Sequence, residues 1–286
     1  MSRLMIPKTY KLYLNGAFVR SESGRSYKVS DDNGIFVANV AMASRKDARE
    51  AVVAARVAFA GWSGASAYNR GQVLYRIAEL MEGRREQFVE EVYRAEGGGK
   101  EAAASQVEGA IDTWVWYAGW ADKYAQVAGN ANPVSGPYFN LSVPEPTGVV
   151  ATIAGRRPCL LSLVSLIAPA LVSGNTVVAF PSQAHPLPAL SLSEVLATSD
   201  VPKGVVNILS GSPAEIAPWL ASHADVNALD LTGAEDLNWI ELQMSAAETL
   251  KRIIPPETAA WAAWRSLDRI LAFTEIKTIW HTKSVI

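Results

Sequence analysis

Only one cysteine occurs in this chain of 286 residues, so no disulfide can form within it, which fits a reducing compartment. Histidine is nearly as scarce: His185, His223 and His281 are scattered, and no metal site is expected. Neither sign of charge prevails. The 26 basic and 28 acidic residues leave a net charge of −2, which excludes a bulk attraction to nucleic acid or an anionic membrane. Long apolar runs are also missing. The longest, Leu160–Val172, falls short of the roughly 20 residues of a spanning helix and carries Ser162, Ser165 and Pro169. The opening MSRLMIPKTYK lacks the apolar core of a secretory signal. These absences predict a soluble cytoplasmic protein. What is present is ordinary: 49% hydrophobic and 19% charged residues, enough for the core of one large domain or two small ones.

The first segment reads as short strands. Leu12, Leu14 and Phe18 flank Asn15-Gly16, a hairpin-turn dipeptide. Ser44, with Asp47 three residues on, predicts a capped helix whose apolar positions include Val52, Val53, Val57 and Ala60. Helical patterns follow over about 70–95 and 101–125, separated by Gly97-Gly98-Gly99-Lys100. That patch invites a phosphate-loop reading, but Arg94 stands where the pattern needs a glycine and Glu101 where it needs Ser or Thr. We read it as a turn between helices.

From Gly148 onward, short apolar runs alternate with helical ones. Strands are expected at Val149–Ile153, Thr176–Phe180, Val205–Leu209 and Val226–Leu231, and helices at about 160–173, 187–198, 213–222 and 235–252. This order predicts an α/β fold with a parallel sheet and right-handed crossovers. Ligands bind such sheets at the carboxyl ends of the strands, where Gly155, Pro181-Ser182, Gly211-Ser212 and Gly233 fall. PYFNLSVPEP (137–146) and the terminal FTEIKTIW have strand composition. In the first, Phe139, Leu141 and Val143 share a face; in the second, Ile276, Thr278 and Trp280 do. PPETAAWAAW (255–264) reads as a linker.

Several stretches together, EPTGVVATIA, IAPALVSGNTVVAFPS, VPKGVVNILSG, HADVNALDLTGAEDLN, LYLNGAFV and the closing TEIKTIW, resemble the aldehyde dehydrogenase superfamily in its NAD-binding domain and terminal strand. The resemblance implies a Rossmann-like sheet with flanking helices and a small β oligomerisation arm. It divides the chain into 1–135 (helical part of the cofactor-type domain), 136–147 (arm strand), 148–254 (Rossmann-like part), 255–273 (linker in place of the catalytic domain) and 274–286 (C-terminal arm strand). It also implies a remnant cofactor surface at Ile153, Ala154, Ser182, Gly211 and Gly233.

The departures from the family pattern are specific. The family's oxyanion-stabilising Asn falls on Arg157, in the run Gly155-Arg156-Arg157-Pro158-Cys159. Its ribose-binding Lys and Glu fall on Phe180 and Gln183, its pyrophosphate Ser on Ala234, and the last Gly of that motif on Asn238. The general-base Glu falls on Pro256, and the domain carrying the nucleophilic Cys is absent. Cys159 has no base beside it in sequence and reads as a small packed hydrophobe. No catalytic residue and no required cofactor are therefore expected, and NAD lacks its usual contacts.

The resemblance then implies a degenerate subunit that offers its arm, through Phe139, Leu141, Val143, Ile276, Thr278 and Trp280, to a full-length aldehyde dehydrogenase or to itself. A nucleotide- or anion-binding module using Arg156 and Arg157 is the alternative. A dehydrogenase completed by a second chain is a further one. For the two arginines, anion capture, decay of the old loop and a face turned to a partner all stay open.

Overall fold

The computed structural model describes residues 8–258 and 260–283; the ends of the first and last segments named above, and Ala259 in the linker, lie outside the described residues. The N-terminal strands are β1 (Thr9–Tyr10), β2 (Leu12–Leu14), β3 (Ala17–Val19), β4 (Ser26–Ser30) and β5 (Phe36–Ala41). Asn15 and Gly16 both take positive φ, 51° and 74°, which closes the β2–β3 hairpin as their identity requires. The order β1-β5-β4 forms a small sheet beside the main one.

Five helices follow: α1 (Arg45–Ser63), α2 (Ala67–Glu82), α3 (Arg85–Glu96), α4 (Lys100–Trp120) and α5 (Tyr124–Ala128). Ser44 and Asp47 form the reciprocal cap at the start of α1: the Asp47 amide donates to Ser44 Oγ and the Ser44 amide to Asp47 Oδ2 at 2.8 Å. The pattern at 70–95 is two helices rather than one, because Gly83 ends the first and the chain restarts after Arg84. Gly97, Gly98 and Gly99 all have positive φ, and they form the expected turn between α3 and α4.

Then come β6 (Asn130–Asn132), β7 (Tyr138–Pro146), β8 (Val149–Ile153), α6 (Cys159–Val172), β9 (Thr176–Phe180), α7 (Leu187–Leu196), β10 (Val206–Ile208), α8 (Pro213–Ser222), β11 (Ala228–Asp230), α9 (Trp239–Ala247), β12 (Arg252–Ile254), α10 (Leu267–Leu271) and β13 (Thr274–Thr282). The main sheet has the order β12-β11-β8-β9-β10-β2-β3. Its first five strands are parallel, and the β2–β3 hairpin is added antiparallel through Tyr13 and Ile208, so the sheet is mixed rather than purely parallel. Every residue of β8, β9 and α6 is buried, as continuous apolar runs of a doubly covered sheet should be. Val150, Val177 and Ala179 pack under α2, α3, α4, α6 and α7; Ala151, Ile153, Val178 and Phe180 pack under α1, α8 and α9.

Two expectations are corrected. The helix foreseen at 235–252 is shorter, because Ile253 and Ile254 pair in parallel register with Leu229 and Asp230 and the sheet wins over local helical pattern. The segment 255–273 is not a bare linker. It contains a short turn at Trp261–Ala263 and then α10, and it buries Ile270 and Phe273 completely.

The third sheet, β13-β7-β6, is the arm. Asn175 anchors its base: Asn175 Nδ2 donates to the Phe273 carbonyl at 2.9 Å, and Gly148 N–H donates to Asn175 Oδ1 at 2.7 Å. The β7–β13 register places Trp280 opposite Asn140, Thr278 opposite Ser142 and Ile276 opposite Pro144. Phe139, Leu141 and Val143 therefore project from the other side of the sheet from Ile276, Thr278 and Trp280.

Candidate functional site

A cleft of about 660 Å³ opens over the carboxyl ends of β8, β9 and β11. Its walls come from β4 (Tyr27, Lys28), the loop after β8 (Ala154, Arg156), the loop after β9 (Ser182, His185), the start of α8, and the loop 233–237. This is where a parallel sheet of this kind holds ligands. Of the residues expected there, Ile153, Ala154, Ser182 and Gly233 line it. Gly211 does not: it lies against Met42 and Ala43.

The loops are stitched together through backbone. Gly233 N–H donates to the Ile153 carbonyl at 3.1 Å, and a Cβ at Gly233 would overlap the backbone of Gly155. Ser182 joins two walls of the cleft: its Oγ donates to the Arg156 carbonyl at 3.1 Å and accepts the His185 N–H at 3.2 Å.

The two arginines part company. Arg156 is exposed and lines the cleft, with no ion pair among the described residues. Arg157 turns away and donates to Asp32 Oδ1 at 2.9 Å. The first amides of α6 are occupied from within, since Cys159 N–H donates to Glu96 Oε1 at 2.6 Å and Leu160 N–H to Gln106 Oε1 at 3.0 Å. That helix N-terminus is therefore not an open anion site. Cys159 is buried, and burial together with the neighbouring Glu96 carboxylate holds its thiol well above the usual range.

His185 is the residue the sequence reading missed. It is 7% exposed, and neither ring nitrogen has a partner among the described residues. Burial, then the cations of Arg157 and Arg156, pull its pKa below 6.5 against the opposing Glu96 and Asp32 carboxylates, so the ring is neutral at pH 7. Its one sequence signal was position: it stands just past a wholly buried strand, at the ligand edge of the sheet.

Phe180 lies in the core under the cleft with 1% exposure, and its side chain offers no hydrogen bond. Ala234 is buried, and Asp236 adds a carboxylate to the same loop. The next helix, α9, begins only at Trp239, and Asn238 caps it with its own side chain. Beyond Gly155 stands Trp261. Pro256 has no proton to exchange, and the adjacent Glu257 accepts a hydrogen bond from Trp264 Nε1 at 2.8 Å and lies outside the cleft. The Phe180 and Ala234 side chains thus offer no hydrogen bond to a ligand in the cleft.

The mixed α/β sheet, the cleft over its strand ends and the separate three-stranded arm together define a Rossmann-like α/β domain. The chain belongs to the aldehyde dehydrogenase family, whose pattern matches residues 18–255. It is 35% identical over 253 residues to retinal dehydrogenase 2 of Homo sapiens, covering 86% of this chain and 48% of that protein. It is 32% identical over 261 residues to the cytosolic 10-formyltetrahydrofolate dehydrogenase of Mus musculus, covering 88% of this chain and 29% of that one. Among solved structures, a betaine aldehyde dehydrogenase point mutant from Staphylococcus aureus in complex with NAD+ superposes with a TM-score of 0.80 at 27% identity, over 85% of this chain and 49% of that chain. The NAD+ complex of an aldehyde dehydrogenase from Bacillus cereus gives 0.78 at 27%, over 86% and 50%. The chain thus spans about half the length of the first of these relatives and of both solved structures, and less of the second relative.

Proposed function

We propose that this chain is a non-catalytic member of the aldehyde dehydrogenase family that associates through its arm with a full-length, NAD-dependent aldehyde dehydrogenase. The arm carries the reading. β13 extends over Thr274–Thr282, pairs on one edge with β7, and has no partner on the other edge among the described residues. Trp280 and Ile276 are 59% and 54% exposed. A long open edge with exposed aromatic residues invites strand addition by another chain and is a liability when left bare. The residues that would support catalysis have meanwhile gone: Arg157 is paired with Asp32, and Pro256 stands where the family's base falls. No cofactor is required in this role, and the expected compartment is the cytoplasm.

The test is co-expression with a full-length family member from the same cell, followed by native mass spectrometry and an NADH-absorbance assay. A defined hetero-oligomer, with no turnover by this chain alone, is the expected result. A chain that stays monomeric, or that oxidises aldehydes by itself, overturns the reading.

A further inference from the structure

Three sheets leave several strand edges open among the described residues, and one edge differs from the rest. The edge strands β1, β3, β4, β6 and β12 have no more than five residues each. β13 has nine, contains no proline, and runs along β7 without a register shift. Natural edges are commonly blunted by a free charge, a bulge or a proline. On β13 the two residues that could do so are engaged within the chain. Lys277 Nζ lies 3.0 Å from the Glu145 carboxylate, and Arg252 Nε lies 3.8 Å from that of Glu275.

We propose that β13 pairs antiparallel with β13 of a second copy of this chain, about a two-fold axis through Thr278, so that two arms join edge to edge. A two-fold axis normal to a sheet keeps every residue on its own face, so only residues an even number of positions apart can meet across it. Centred on Thr278, the pairing uses all nine residues of the strand. It sets Ile276 opposite Trp280, Thr278 opposite itself, and Glu275 opposite His281. An aromatic ring against a β-branched side chain, threonine against threonine, and a carboxylate against an imidazole N–H donor are all favourable cross-strand pairs. Neighbouring registers lose them. An axis through Lys277 sets that ammonium against its own copy, and one through Ile279 sets Lys277 against His281 and Trp280 against Thr278. Axes at Ile276 or Trp280 overlap only 274–278 or 278–282. The edge is thus complementary to itself in the one register that covers it completely. This inference rests on the reading of the arm as an association surface, and it names the form taken when no full-length enzyme is present. A full-length relative that adds to the same edge must displace the second copy, so the two assemblies exclude each other.

Sedimentation equilibrium of the full chain alone tests this, and a monomer–dimer equilibrium is expected. Thr278 is exposed, so substitutions there spare the fold. Thr278→Lys brings two ammonium groups together at the axis and should weaken the dimer at least tenfold. Thr278→Cys should cross-link two chains under mild oxidant, because directly opposed residues have Cβ atoms about 4.5–5.5 Å apart, close to disulfide distance. His281→Cys should not, since the two copies of that position lie about 20 Å apart in this register. The native Cys159 is buried and adds no background. A chain that is monomeric at every concentration, a dimer indifferent to Thr278→Lys, a dimeric Thr278→Cys that fails to cross-link, or a cross-link through His281→Cys each overturns the inference. Adding a full-length family member from the same cell separates it from the proposed function. A hetero-oligomer with no self-dimer beforehand overturns this inference alone, and a self-dimer that the enzyme does not displace overturns the hetero-oligomer alone.

Discussion

Arg269 of α10 donates a hydrogen bond to the carboxylate of Asp230, the last residue of β11, and its guanidinium carbon lies 4.0 Å from the ring centroid of Trp264. Asp230 is fully buried and Arg269 is 8% exposed. Asp230 also accepts hydrogen bonds from the backbone and hydroxyl of Thr232. This pair fastens the segment 255–273 to the carboxyl edge of the sheet.

Removing the cation should leave Asp230 charged and buried. Arg269→Met is expected to destabilise the fold by about 3–5 kcal/mol, because an uncompensated buried charge is far worse than none. The double variant Arg269→Met/Asp230→Asn should recover at least half of the loss. Urea unfolding followed by circular dichroism measures both; equal instability of the single and double variants would show that the charge is not the cause.

The two glycines of the cleft should respond differently to one added methyl. At Gly233 a Cβ would overlap the backbone of Gly155 and Ala154, so Gly233→Ala should cost about 1–3 kcal/mol or more and displace both loops. At Gly155 the nearest atoms are 3.6–3.9 Å from the new carbon, an ordinary contact, so Gly155→Ala should stay within about 0.5 kcal/mol. Thermal melts of the two variants side by side decide this.

His185 should make the fold less stable in mild acid. Its pKa in the folded chain lies below the 6.5 of the unfolded one, so below 6.5 the unfolded state binds the proton more readily. The destabilisation begins as pH falls past 6.5 and levels off once pH is below the folded value. Arg157 and Arg156 push in this direction, while Glu96 and Asp32 oppose it. Comparing melting temperatures of the parent and His185→Asn from pH 7.5 to 5 isolates the effect: the gap between them should narrow toward acid pH. A constant gap would exclude His185 as its source.

Trp280→Glu should abolish association through the arm and leave the fold intact. The side chain is more than half exposed and packs edge-on at 6.0 Å to Tyr138, so its loss from the monomer should cost under about 1 kcal/mol. At an interface a tryptophan is often a dominant contact, worth 2 kcal/mol or more. Analytical ultracentrifugation of the variant with the partner enzyme reads the difference. Retained assembly would move the interface away from this face of the arm.

The sequence by itself determined what depends on neighbours along the chain. The wholly buried runs Val149–Ile153 and Thr176–Phe180 became strands with those bounds, Ser44 and Asp47 capped α1, and Asn15-Gly16 closed its hairpin. Local periodicity and capping chemistry act over a few residues, so they can be read in order. The family's motifs were legible for the same reason. Only the tertiary structure decided the rest. It sent Arg157 to Asp32, 125 residues away, and left Arg156 in the cleft. It buried His185 without partners, turned the two arm trios to opposite faces, and clamped an apparent linker to Asp230 through Arg269. Each of these depends on which distant segments the sheet brings together, and no local pattern encodes that pairing.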